Sequence, residues 1–111
     1  FSESADAMIR AFHAPGALAT MVTMPFGELP GAGLAMFRTG DLVGHAWDLA
    51  VATGQDRNVA PQMCEAVLEM SRQRLEGMDR ARSPFKEIVE VSAEACPADR
   101  LAGFLGKPVP A

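Results

Sequence analysis

From Pro30 to Thr53 the chain carries no proline after the first position, and Gly54 follows directly. Proline is tolerated in the first turn of a helix, and glycine takes the left-handed conformation that ends one. The spacing therefore predicts one long helix over 30–53, roughly 35 Å at 1.5 Å per residue. A helix of that length must bury a stripe against other helices, so the chain is expected to be mostly α.

Other breakers divide the rest. Pro15-Gly16 stops a first helix over 2–14, in which Ser2 or Ser4 is placed to cap and Ala5, Met8, Ile9 and Phe12 have the spacing of a buried stripe. Pro61 opens a helix over 61–78 with Met63, Val67, Met70 and Leu75 on its apolar side, and Ser83-Pro84 interrupts the chain beyond it. Pro97 opens a short last helix over 97–105, ended by Gly106. Two segments have β character: the apolar run over 19–26, followed by a turn at 27–31, and the alternating FKEIVEV of 85–91.

At 111 residues the chain is expected to form one domain over 1–111. A hydrophobic fraction of 49% excludes a disordered chain, and a net charge of −4 argues against nucleic acid as a partner, since phosphate binding needs basic charge. No apolar run is long enough to span a membrane. The N-terminus lacks the layout of a signal peptide, and the two cysteines, Cys64 and Cys96, form no CxxC, so a reducing cytoplasm is expected. Arginine outnumbers lysine, which with the Ala and Gly content points to a GC-rich bacterial genome. Residue 1 is Phe, so an N-terminal part is expected to precede it or to have been processed away.

The chemistry concentrates in Gly40–Ala50. Asp41 and His45 stand four apart on the long helix, which places their Cβ atoms about 5–6 Å apart on one face. A carboxylate and an imidazole so placed can grip one divalent ion; they can equally form an exposed hydrogen-bonded pair. Asp48 lies on nearly the same face, as a further ligand or as the acceptor that orients the imidazole. Two ligands are too few for a catalytic zinc, and the other histidine, His13, is the candidate third; its plain reading is an exposed residue at a helix C-terminus. Trp47 is expected to anchor packing with its indole N–H on a polar partner. Gly40 and Gly44 suit close approach of a neighbouring element. Neither cysteine has the surroundings of a nucleophile, and no phosphate-loop, dinucleotide or hydrolase motif is present.

The runs AFHAPGAL, MPFGELPG and DLVGHAWDLAVATGQ, with the later PADRLAGFLGK, resemble the mycothiol-dependent maleylpyruvate isomerase-type, DinB-like metal-binding proteins. The resemblance covers nearly the whole chain and implies the C-terminal part of a DinB-like four-helix bundle. It implies that Asp41 and His45 are the metal ligands of the family's third helix, with the remaining histidine on a helix upstream of Phe1. It implies a divalent cofactor and a low-molecular-weight thiol such as mycothiol, used for isomerisation or transfer to a small electrophile. The imidazole favours Zn²⁺ or Ni²⁺ over Mg²⁺. The rival expectation is a non-catalytic helical module that acts by association. On either reading, an apolar face left open by a missing helix favours a homodimer.

Overall fold

A computed structural model describes residues 1–25, 27–77, 79–80 and 85–111. The chain is mostly α: α1 (Ser2–His13), α2 (Gly31–Thr53), α3 (Pro61–Leu75) and α4 (Pro97–Phe104), with β1 (Met21–Met24) and β2 (Gly27–Pro30) in one two-stranded antiparallel sheet. Backbone contacts divide it into two units, Phe1–Arg38 and Thr39–Ala111, where the length alone suggests one domain.

In the first unit, α1 ends at Pro15-Gly16, and Gly16 takes a left-handed φ of 75° before a short 3₁₀ turn over Ala17–Ala19. No serine side chain caps α1; Ser4 Oγ instead donates to the Phe1 carbonyl at 2.8 Å. The expected apolar stripe of α1 is not buried, and Ile9 is exposed. The 19–26 segment does form a strand, β1. Its partner is β2, in the stretch expected to be only a turn, with Met21 opposite Pro30 and Val22 opposite Leu29. Phe26 lies outside the described residues. At the start of α2, a Cβ on Gly31 would collide with the Ala17 carbonyl, so the approach of the 3₁₀ turn to this helix requires glycine.

In the second unit three short stripes form the core. Val43, Trp47 and Ala50 of α2, Cys64, Val67 and Leu68 of α3, and Ala98, Leu101 and Ala102 of α4 are all buried. Each set follows the three-four spacing of one helix face. The buried face of α3 is not the one expected: Val67 is common to both, but Met63 is exposed and Cys64 and Leu68 are buried in its place. Gly40 lies where a Cβ would stand 3.3 Å from Val67 Cγ1, so its small size lets α3 approach α2 closely.

Both helix ends signalled by glycine close as Schellman motifs. After α2, Gln55 N–H donates to the Ala50 carbonyl at 2.9 Å and Gly54 adopts φ 68°. After α4, Lys107 N–H donates to the Ala102 carbonyl at 2.9 Å and Gly106 adopts φ 85°. The helix expected to reach Met78 ends at Leu75; Met78 and the break at Ser83-Pro84 lie outside the described residues.

The alternating 85–91 segment corrects the expectation of a strand. Its described residues form no ladder, because among the described residues no second extended segment runs beside them. The segment instead lies on α4, where Val89 N–H donates to the Gly103 carbonyl at 2.9 Å. No described helix is long and apolar enough to cross a membrane.

Candidate functional site

The middle of α2 presents two different faces, and chemistry-bearing residues stand on both. Its buried face carries Trp47, and its outer face carries Asp41 and His45. Helical geometry puts residues four apart above one another, and the imidazole Nε2 of His45 lies 3.2 Å from Asp41 Oδ1. The His45 side chain is 74% exposed and that of Asp41 39%. The pair therefore offers one nitrogen and one oxygen donor to a common point on an open surface. Leu42 and Leu49, both more than half exposed, share that surface.

Asp48 lies close by, one turn further along. Both of its carboxylate oxygens accept from the Lys107 ammonium, at 2.9 and 3.0 Å. Lys107 also stands 5.6 Å from the centre of the Trp47 ring, within cation–π range. His13 is the exposed last residue of α1 and belongs to the first unit. Among the described residues, no group of three or more His, Cys, Asp or Glu side chains is arranged to hold a metal ion.

Beneath this surface lies a network that reading along the chain does not reveal. Trp47 Nε1 donates to Asp99 Oδ1 at 2.8 Å, and both residues are buried. Arg57, from the loop after α2, meets the same carboxylate in a fork: Nε to Oδ1 and Nη2 to Oδ2, each at 3.0 Å. The second of these nitrogens also donates to the Pro110 carbonyl at 3.2 Å. One carboxylate thus joins α2, the following loop and α4, and through Arg57 it reaches the C-terminal tail.

The electrostatics follow from these contacts. The guanidinium of Arg57 holds the Asp99 carboxyl below its ordinary range, helped by the indole N–H and opposed by burial. The same contact raises the Arg57 pKa. Burial pushes the Cys64 thiol up, so it stays protonated and unreactive. Its Sγ donates to the Val59 carbonyl at 3.2 Å. Both cysteines are free thiols.

Trp47 anchors packing with its indole N–H on a polar partner, as the sequence leads one to expect. One further signal could have pointed to the rest of the network: an aspartate in the first turn of an apolar helix needs a cation if it is buried.

Comparison with known proteins gives relatives without a function attached. No family model matches the chain, and no solved structure matches it. It is similar to an uncharacterized protein of Mycobacterium tuberculosis, found in strain CDC 1551 / Oshkosh and in strain H37Rv. Each is 38% identical over 99 residues, covering 88% of this chain and 54% of the relative. The chain spans about half the length of the curated relatives it matches.

Proposed function

We propose that this chain is the ligand-bearing part of a DinB-like divalent-metal protein that uses a low-molecular-weight thiol such as mycothiol for transfer to, or isomerisation of, a small electrophile. Asp41 and His45 are its two metal ligands. The observation that carries this reading is the convergence of Asp41 Oδ1 and His45 Nε2, 3.2 Å apart on an exposed helix face, within a run that resembles the family's metal-binding element.

The donor set fits a borderline ion such as Zn²⁺ or Ni²⁺, which accepts one imidazole and one carboxylate. It fits as part of a site: a closed or catalytic centre takes at least three protein ligands, so the remaining positions fall to groups outside the described residues. A divalent ion supplies one thing here, a thiol deprotonated near neutral pH. The chain's own residues hold and orient. The Asp48–Lys107 pair and the buried Trp47–Asp99–Arg57 network keep α2 in place, so that the two ligands present themselves together. Both free thiols suit the reducing cytoplasm in which such a protein would work.

A second reading, a helical module that acts by association and performs no chemistry, draws support from Leu42 and Leu49 on the same exposed face. Metal analysis of the purified protein, with and without added thiol, separates the two. The metal reading expects bound Zn²⁺ or Ni²⁺, with the amount or affinity raised by thiol. Metal-free protein that gains none from either ion, with or without thiol, would leave the association reading.

A further inference from the structure

Within the second unit, a groove of about 250 Å³ lies between Arg72 of α3, Arg100 and Phe104 of α4, and the segment that begins at Ile88. Ile88, Val91 and Phe104 give it an apolar wall. That wall is fixed on α4. Val89 N–H donates to the Gly103 carbonyl, and a Cβ on Gly103 would stand 2.4 Å from Val91 Cγ2, so the segment packs hard against the helix. Pockets for drug-sized ligands run roughly 300–1,000 Å³, so this groove suits something smaller. Three charged side chains line it. Arg100 is already engaged, with Nε on the Ala95 carbonyl at 3.0 Å and Nη2 on the Glu65 carboxylate. Arg72 and Glu90 are exposed, and among the described residues neither has a hydrogen-bond or ion-pair partner.

We propose that this groove binds a free α-amino acid with an apolar side chain. Arg72 donates to its carboxylate, Glu90 accepts from its ammonium, and its side chain lies against Ile88, Val91 and Phe104. Charge complementarity selects this class. The groove offers one unengaged cation and one unengaged anion beside an apolar wall. A simple anion would meet Glu90 and a simple cation would meet Arg72, and like charges brought together disfavour binding. A zwitterion meets both groups with the opposite sign, and an apolar side chain covers the half of Ile88 that water now reaches. Both ionic contacts stay exposed to water, so the binding is weak.

The groove shares no residue with the Asp41–His45 pair, so the proposal does not depend on the metal reading, and a chelator is expected to leave the binding unchanged. The test is an NMR titration of the full chain with L-leucine, followed at the methyl groups of Ile88, Val89 and Val91. Saturable shifts are expected there, with a Kd of about 1 mM. Glycine, isocaproate and isoamylamine lack the side chain, the ammonium and the carboxylate in turn, and each is expected to bind about fivefold more weakly. Arg72→Gln and Glu90→Gln alter exposed side chains, so the fold is expected to survive both. Arg72→Gln is expected to erase the preference for leucine over isoamylamine, and Glu90→Gln the preference over isocaproate. No saturation at tens of millimolar leucine would overturn the proposal. So would wild-type protein that binds isocaproate as well as leucine, or single variants that keep the wild-type preferences.

Discussion

The indole of Trp47 and the carboxylate of Asp99 are bonded at 2.8 Å across 52 residues of sequence. A buried carboxylate is costly unless its charge and lone pairs are met, and here an indole and a guanidinium meet them together. The bond is what ties α4 to the buried side of the helix whose other side carries Asp41 and His45.

Trp47→Phe keeps most of the packing and removes the donor. The loss of one buried hydrogen bond is expected to lower stability by about 1–3 kcal/mol. Asp99→Ala should cost more, because it also strands the Arg57 guanidinium. Urea unfolding of the two variants checks the order; equal stability of wild type and Trp47→Phe would show that the bond contributes nothing.

Stability should fall in acid through Asp99. Its folded pKa is depressed below the ordinary 3.8, so the unfolded chain binds the proton more readily. The contribution is therefore fully present above that ordinary value and is lost as pH falls through the lower folded value. Unfolding curves taken below neutrality should show a downward slope in wild type that is reduced in Asp99→Asn.

The two thiols should differ in alkylation. Cys64 is fully buried and its pKa is raised, while Cys96 is partly exposed at the N-cap of α4. Iodoacetamide on the native protein should modify Cys96 only, with Cys64 following on denaturation, as peptide mass mapping would show. Equal labelling of the native protein would mean that the α3–α4 core opens readily.

Ala60 precedes Pro61 with φ 38° and ψ 61°, a left-handed conformation that costs an L-residue about 1–2 kcal/mol. Ala60→Gly relieves that strain but enlarges the freedom of the unfolded chain, so a net gain of about 0.5–1 kcal/mol is expected. Thermal unfolding measures it; a lower melting temperature would count against a strained Ala60.

The helix boundaries were legible because their signals are local. Pro61, Pro97, Gly54 and Gly106 each act on the turn they occupy, and the helices begin or end within a residue or two of them. The Asp41–His45 pair was legible for the same reason, since four residues along a helix is a fixed distance. What the chain does not display is which distant group completes an interaction. Asp48 has its lysine 59 residues away, and Trp47 has its aspartate 52 away. The alternation of 85–91 suggested a strand, but only Phe85, Val89 and Val91 are half-buried while Ile88 is exposed, and a ladder needs a neighbour, which none of the described residues supplies. On α3, the apolar methionines suggested one face, whereas Cys64 and Leu68 fill the space that α2 and α4 leave. The hairpin partner of β1 was hidden because GELP is built of turn residues and becomes a strand only by pairing.

The metal assignment is tested most directly by titrating the purified, metal-stripped protein with Zn²⁺ and, separately, Mg²⁺, in parallel with His45→Ala, Asp41→Ala and Leu42→Ala. The account expects saturable Zn²⁺ binding and much weaker Mg²⁺ binding. It expects His45→Ala to abolish the Zn²⁺ signal, Asp41→Ala to weaken it, and Leu42→Ala, which alters the same face without removing a donor, to leave it intact. Zn²⁺ binding of the same strength in wild type, His45→Ala and Asp41→Ala would contradict the assignment.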